Sequence, residues 1–384
     1  MPARGFPASE FQARVRAAQA LMAEADLAAL LLTTEPEIRY YTGFLTRFWE
    51  SPTRPWFLVL PSSGDPIAVI PSIGAHLMGQ SWVRDIRTWA APDYMDDGIG
   101  LLADALCEVV PVDGRIGIAD QMESHVRMPL ASLRALERAV TDRPIVGDAT
   151  ITRRLRLIKS EAEIAKIAVA AGIGDRAFDR VSGIAKAGVP LSQVFRDFQR
   201  LCLEEGADWV PYLAGAAEHG GYADVISPAS DAPLVAGDML MLDTGLVWDG
   251  YFCDFDRNYS VGRPSAAVAD GHARLVDATQ AAFEIARPGK TIADLFHVMN
   301  DVVNPAGAEM EAGRLGHGLG MQLTEWPSII PQDHTPLQAG MVLTLEPSVA
   351  VGEGRILVHE ENIVVREDGA VYLSTPQTAQ IRVI

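Results

Sequence analysis

The sequence predicts an α+β protein of two domains, and three observations carry that reading. The chain has 384 residues, beyond the roughly 250–300 at which a single hydrophobic core stops growing. A capping box at Ile158-Lys159-Ser160-Glu161-Ala162-Glu163-Ile164 marks a strong helix start near its middle, with Ser160 as cap and Glu163 reaching back. Before that point short apolar runs of strand length predominate, whereas after it long helices alternate with strand pairs. The predicted division is residues 1–149, a mixed α/β domain, and residues 150–384, a larger second domain.

In the first domain, Ser9-Glu10-Phe11-Gln12 has the form of a capping box, and Phe11, Val15, Ala18, Leu21 and Met22 follow at helical spacing. The expected helix covers 10–24. Strands are expected at 27–32, 56–60, 67–70 and 115–119, with a helix over 98–110 and a polar break at Thr33-Thr34-Glu35-Pro36. The loop Arg47-Phe48-Trp49-Glu50-Ser51-Pro52-Thr53-Arg54-Pro55-Trp56 is aromatic and basic, and reads as a connector that could also offer a binding surface. In the second domain, helices are expected near 160–184, 191–205, 268–286 and 291–302, and strands near 239–247, 251–260, 341–346 and 356–365.

Composition excludes several classes. Apolar residues make up 48% of the chain, enough for a sizeable core, and no run approaches the roughly 18 apolar residues of a membrane span. The amino terminus lacks the apolar segment of a secretory signal, so a cytoplasmic location is expected. Cys107, Cys202 and Cys253 are odd in number and without a CxxC pair, which suits reduced thiols. A formal net charge of −18 argues against nucleic acid as a partner.

Acid is concentrated in one stretch, Leu240 to Asp256. Apolar strands flank Asp249-Gly250, the pair favoured in a two-residue turn. That turn sets position 243 opposite 256 and 245 opposite 254, so Asp243, Asp254 and Asp256 project from one face. Carboxylates so crowded repel unless a proton, a cation or solvent intervenes, and a divalent metal is the simplest answer.

Downstream stand Gly316-His317-Gly318-Leu319-Gly320, Leu345-Glu346-Pro347 and Val358-His359-Glu360-Glu361-Asn362. Singly each is a weak signal. In this order and spacing, with Leu155-Arg156-Leu157-Ile158-Lys159-Ser160 and Gly237-Asp238, the chain resembles the creatinase/prolidase family of metallopeptidases over most of its length. The resemblance implies a creatinase-like amino-terminal domain, a carboxy-terminal pita-bread domain, and a metal-dependent hydrolase of the Xaa-Pro peptidase type acting on short peptides or small amides.

It also implies five ligands to two divalent metal ions. Asp254 and Glu360 would bridge, Asp243 would serve one ion, and His317 and Glu346 the other. Manganese is the first expectation, and cobalt, zinc or iron also suit such donors. Glu346 and His317 are the residues expected to act in catalysis, Glu346 by shuttling the proton of the attacking water. Of the adjacent Glu360 and Glu361, one is expected to face solvent; Glu360 is taken as the ligand and His359 as a core or second-layer residue. A homodimer is expected, in which the partner's amino-terminal domain would give Phe48, Trp49 and Arg54 a role in limiting substrate length.

The chain departs from that pattern at three places. No histidine precedes Gly237-Asp238 in register, His219 being the nearest; Thr324-Glu325-Trp326-Pro327 stands where peptidases show His-Glu-x-Pro; and Asp256 replaces a hydroxyl residue. Thr324 and Asp256 are therefore expected beside the substrate or behind the ligands. Asp256 is read as orienting a ligand, with direct binding of metal or of a cationic substrate group as the alternative. The missing histidines leave open a non-peptide C–N hydrolase or lyase of the creatinase-like branch, and, less favoured, a non-catalytic binding protein.

Overall fold

The computed structural model describes residues 1–51, 54–305 and 313–384; Pro52 and Thr53 of the aromatic loop lie outside the described residues. Contacts divide the chain into Ala3–Arg156 and a second unit formed by Leu157–Ile384 with Met1–Pro2.

The first unit is built on a six-stranded sheet in the order Asp85–Trp89, Ile67–Pro71, Phe57–Pro61, Ala29–Leu32, Ile116–Ile118, Ile145–Gly147. Its middle strands are buried at every position, which is why they read as unbroken apolar runs rather than as alternation. Two local readings are corrected here. The first helix is Ala8–Glu24, with Pro7 rather than Ser9 in the capping position and no side-chain cap. The polar break at 33–36 opens a helix, Glu35–Thr42. Thr34 N–H donates to the Glu37 carboxylate at 3.2 Å and the Thr34 hydroxyl at 2.6 Å, Pro36 fits the first turn, and Gly43 ends the helix at φ +77°. Thr-x-x-Glu was the overlooked start signal.

The second unit has two main sheets. One runs Arg382–Val383, Phe255–Ser260, Asp238–Trp248, Trp209–His219, with Tyr251–Phe252 paired to Asp238–Trp248. The other runs Glu325–Ser328, His317–Gly318, Val342–Leu345, Glu361–Arg366, Gly369–Tyr372. Helices Glu161–Asp179 and Leu191–Glu204 pack with Leu240, Leu242 and Phe255 in one core, and helices Ala266–Ile285 and Ile292–Val303 with Met239, Met241, Leu343 and Leu345 in another. Ser160 caps the first of these helices reciprocally with Glu163, as its spacing predicts.

Three features position the acidic residues. Asp256 pairs with Asp243 and Tyr251 with Trp248, the register set by Asp249 at φ +49° and Gly250 at φ +80°, a turn with positive φ at both central residues. Strand Trp209–His219, absent from the sequence reading, lies beside Asp238–Trp248; Pro211 and Gly215 break its apolar pattern. A Cβ on Gly215 would stand 2.3 Å from the Met241 carbonyl oxygen, so glycine permits the approach. The expected strand 356–365 is two strands, Arg355–Val358 and Glu361–Arg366, in different sheets. His359 and Glu360 occupy the step between them.

Because Gly250 sits in left-handed backbone, Gly250→Ala is expected to destabilise the protein by about 1–2 kcal/mol in urea denaturation, with the register of the pair retained.

Candidate metal centre

Contacts made elsewhere in the fold hold the backbone beneath Asp254, Glu360, Glu346 and His317. Asp254 lies in the gap between Tyr251–Phe252 and Phe255–Ser260. Asn362 grips it from the second sheet: Asp254 N–H donates to Asn362 Oδ1 at 3.0 Å, and Asn362 Nδ2 donates to the Asp254 carbonyl. Glu360 N–H donates to Asp256 Oδ1 at 2.9 Å, and Glu346 N–H to the Leu315 carbonyl at 3.0 Å. His317 N–H donates to Thr344 Oγ1 at 3.2 Å, and its Nδ1 faces the Gly318 carbonyl at 2.8 Å. That contact fixes the proton on Nδ1 and leaves the Nε2 lone pair free. Gly316 makes the placement possible: its φ is +129°, and a Cβ there would lie 2.2 Å from the Thr344 carbonyl oxygen.

Asp254, His317 and Glu360, all buried, offer ligand atoms within 4.8 Å of one another, with His317 Nε2 3.4 Å from Asp254 Oδ2. Asp243 and Glu346 are half-buried at the same place; each exerts its charge on Asp254 and Glu360. Tyr212, from the strand the sequence reading missed, hydrogen-bonds to Asp243. Burial pushes the carboxyls of Asp243, Asp254 and Glu360 well above the usual range, and repulsion from neighbouring carboxylates, Glu346 and Asp256 among them, adds to it. Burial likewise raises Glu346 to about 7 against the opposing pull of Arg314, and lowers His317 to about 4, keeping it neutral.

This donor set fits divalent cations. Asp243 Oδ1 and Glu360 Oε1 are buried with no hydrogen-bond partner, an expensive state for a carboxylate unless it neutralises or binds a cation. Four carboxylates and one neutral imidazole would offset two divalent ions.

The remaining expected residues fall in different places. Asp256 is buried, its Oδ1 engaged by Glu360 N–H and its Oδ2 unpartnered. Glu361 does not face solvent, contrary to expectation: it is fully buried, 3.0 Å from Arg257 Nη2, and accepts from Ser374 Oγ and Gln377 N–H. Both faces of this sheet are covered, so alternation does not expose every second residue. His359 lies in the same polar layer, 3.6 Å from Asp256 Oδ1 and 3.3 Å from Glu361 Oε1. Thr324 is exposed and accepts from Arg314 Nη2 at 3.4 Å.

Trp49 and Arg54 belong to the first unit. Trp49 packs 5.5 Å from Trp56, and the Arg127 guanidinium lies 5.0 Å from the Trp49 ring centroid. Arg127 also donates to the carbonyls of Trp49, Ser51 and Arg54, a connector tied down by a cation that sequence reading did not single out. Tyr212, Arg314 and Asn362 were missed in the second unit; of these only Asn362, two residues after Glu360, had a legible signal.

The geometry gathers a donor set that fits divalent cations, and comparison with known proteins names the family. Residues 165–367 match the metallopeptidase family M24, and residues 14–158 match the creatinase/prolidase N-terminal domain. The protein belongs to metallopeptidase family M24, and is a metal-dependent peptidase with the pita-bread fold. It is 33% identical over 378 residues to the probable dipeptidase PepE of Mycobacterium tuberculosis, covering 97% of this chain and 96% of the relative. The crystal structure of dipeptidase PepE from Mycobacterium ulcerans superposes with a TM-score of 0.84 at 32% identity, covering 99% of each chain. An X-Pro aminopeptidase from Thermotoga maritima shares the fold, with a TM-score of 0.81 at 24% identity over 96% of this chain and 99% of that one.

Two outcomes follow from this geometry. Gly316→Ala should displace His317 and weaken divalent-metal affinity by about 10–100-fold in a metal titration, the usual loss when a ligand's support is disturbed. A carboxyl whose pKa is raised on folding holds its proton more tightly in the folded state, which then loses stability as pH rises through the interval. Chelator-treated wild type should therefore lose stability relative to Glu346→Gln between pH 4.5 and about 7, measured by urea denaturation across that range; added divalent metal should abolish the loss.

Proposed function

We propose that the protein is a dinuclear metal-dependent hydrolase that cleaves short peptides, dipeptides first among them. The observation that carries this is the set of buried, unpartnered carboxylate oxygens around the neutral His317. In this reading Asp243, Asp254, His317, Glu346 and Glu360 would hold two divalent ions, with Asp254 and Glu360 serving both. Manganese is the native metal we favour, and the oxygen-rich donor set with one nitrogen suits cobalt, iron or zinc as well. When bound, the ions acidify a water and polarise the scissile carbonyl.

The chain's own residues do the rest. Glu346 takes the proton of the attacking water and returns it to the leaving amine, as a carboxylate placed beside that water can do. His317 stays neutral, its Nδ1 proton held by Gly318. Asn362 and Thr344 keep Asp254 and His317 from turning away. Dipeptides are favoured because the relatives at 33% and 32% identity are named as dipeptidases. A homodimer in the cytoplasm, with Trp49 and Arg54 limiting substrate length, completes the reading.

Thr324 supports a second reading. A threonine stands where the peptidase pattern has a histidine, which favours a small amide or other C–N substrate over a peptide. One series of measurements separates the two. The protein purified with manganese should carry about two divalent ions per chain and hydrolyse dipeptides in a chelator-sensitive manner, and Glu346→Gln should lower kcat by about 10²–10⁴-fold, the usual worth of a general base. Metal with turnover of small amides alone would establish the second reading; absence of bound metal would overturn both. Trp49→Ala is expected to change the preference between dipeptides and tripeptides, and unchanged kcat/KM for both would remove that residue from the account.

A further inference from the structure

Hydrolysis of an amide places negative charge on the carbonyl oxygen. The water oxygen bonds to the carbonyl carbon, the C=O π pair moves to oxygen, and the C–N bond then breaks as that pair returns and the amine takes a proton. A pocket lined by Asp243, Asp254, Glu346 and Glu360 is a poor place to develop such charge, because the walls themselves are anionic. Metal cations offset the walls; a donor aimed at the new oxyanion would still lower the barrier.

Arg314 is placed for that work. It lies three residues before His317, on a segment fixed from both sides: Leu315 N–H donates to the Ile329 carbonyl at 2.9 Å, Ile329 N–H to the Gly316 carbonyl at 2.8 Å, and Glu346 N–H to the Leu315 carbonyl at 3.0 Å. The residue next to Arg314 is thereby tied directly to the backbone of the proposed base, two positions before the proposed histidine ligand. The guanidinium turns to Thr324 Oγ1 at 3.4 Å, the exposed residue of the turn between His317–Gly318 and Glu325–Ser328. Its positive charge is felt by Asp254, Glu346 and His317, so it lies within electrostatic reach of the carboxylate cluster. Arginine is half-buried there, and it stays charged at any working pH and offers several N–H donors in one plane.

We propose, resting on the hydrolase reading above, that Arg314 is a catalytic residue: its guanidinium, steered by the Thr324 hydroxyl, donates to the oxyanion formed from the scissile carbonyl. Thr324 is then a positioning residue, and its short side chain leaves the guanidinium room to reach the carbonyl.

The test uses the manganese-loaded protein, Arg314→Gln, Arg314→Lys and Thr324→Val. Arg314→Gln should lower kcat by about 10²–10³-fold, the cost of losing one oxyanion donor, with KM, bound manganese and Tm near the wild-type values. Arg314→Lys keeps the charge but loses the planar fork, and should recover part of the loss. Thr324→Val should cost about tenfold in kcat, with no change in metal content. A phosphinic dipeptide analogue, whose tetrahedral oxyanion copies the intermediate, should bind Arg314→Gln more weakly in the same proportion as kcat/KM falls. If Arg314→Gln turns over within about twofold of wild type, or loses activity only in step with lost manganese, the proposal is overturned. Should wild type hydrolyse no dipeptide, the hydrolase reading fails at that point. Analogue binding still decides Arg314: tight binding equal in wild type and Arg314→Gln, or none in either, rejects its role.

Discussion

Negative charge removed from water is what the second unit has to accommodate. Asp254, Asp256, Glu360 and Glu361 are all nearly inaccessible, and Asp243 and Glu346 are half-covered beside them. An isolated buried carboxylate is far too costly to keep ionised without partners, so each must be paired, hydrogen-bonded, protonated or bound to a cation. The structure sorts them. Glu361 is satisfied inside the protein by Arg257, Ser374 and Gln377, whereas Asp243 and Glu360 keep oxygens with no partner. Acid with an internal counter-charge holds the sheets together, and acid without one faces the place where a divalent ion fits.

The fold serves that division. Asp243 and Asp254 come from one sheet, and His317, Glu346 and Glu360 from or beside the other. Contacts between the two sheets also set side-chain direction, since Asn362 bonds both the N–H and the carbonyl of Asp254 and Asp256 accepts the Glu360 N–H. Asp256 thus has a defined place: it orients the backbone of a candidate ligand while adding its own charge behind the cluster. Arg314 supplies the opposite sign nearby.

Much of this was legible before the structure because the signals were local. The Asp249-Gly250 turn fixes register through positive φ at two adjacent residues, and register alone sets 243 opposite 256. Ser160 and Glu163 mark a helix start by the same kind of short-range chemistry. What was missed depends on distant packing. Glu361 looks solvent-facing by alternation, but Arg257, 104 residues earlier, waits on that side. Strand Trp209–His219 is hidden by Pro211 and Gly215, whose fitness appears only beside Met241. Arg314 carries no motif; its role emerges from the backbone bonds that tie its segment to Glu346 and Ile329. Thr34 is the exception, a local capping signal passed over because a proline follows two residues later.

The central proposal is that Asp254 and Glu360 would both serve two ions. Electron paramagnetic resonance of the manganese-loaded protein tests it most directly. Two manganese ions joined by carboxylates interact magnetically, so the account predicts a spin-coupled spectrum in wild type that gives way to an uncoupled one in Glu360→Gln. An uncoupled, single-ion spectrum in fully loaded wild type would contradict it.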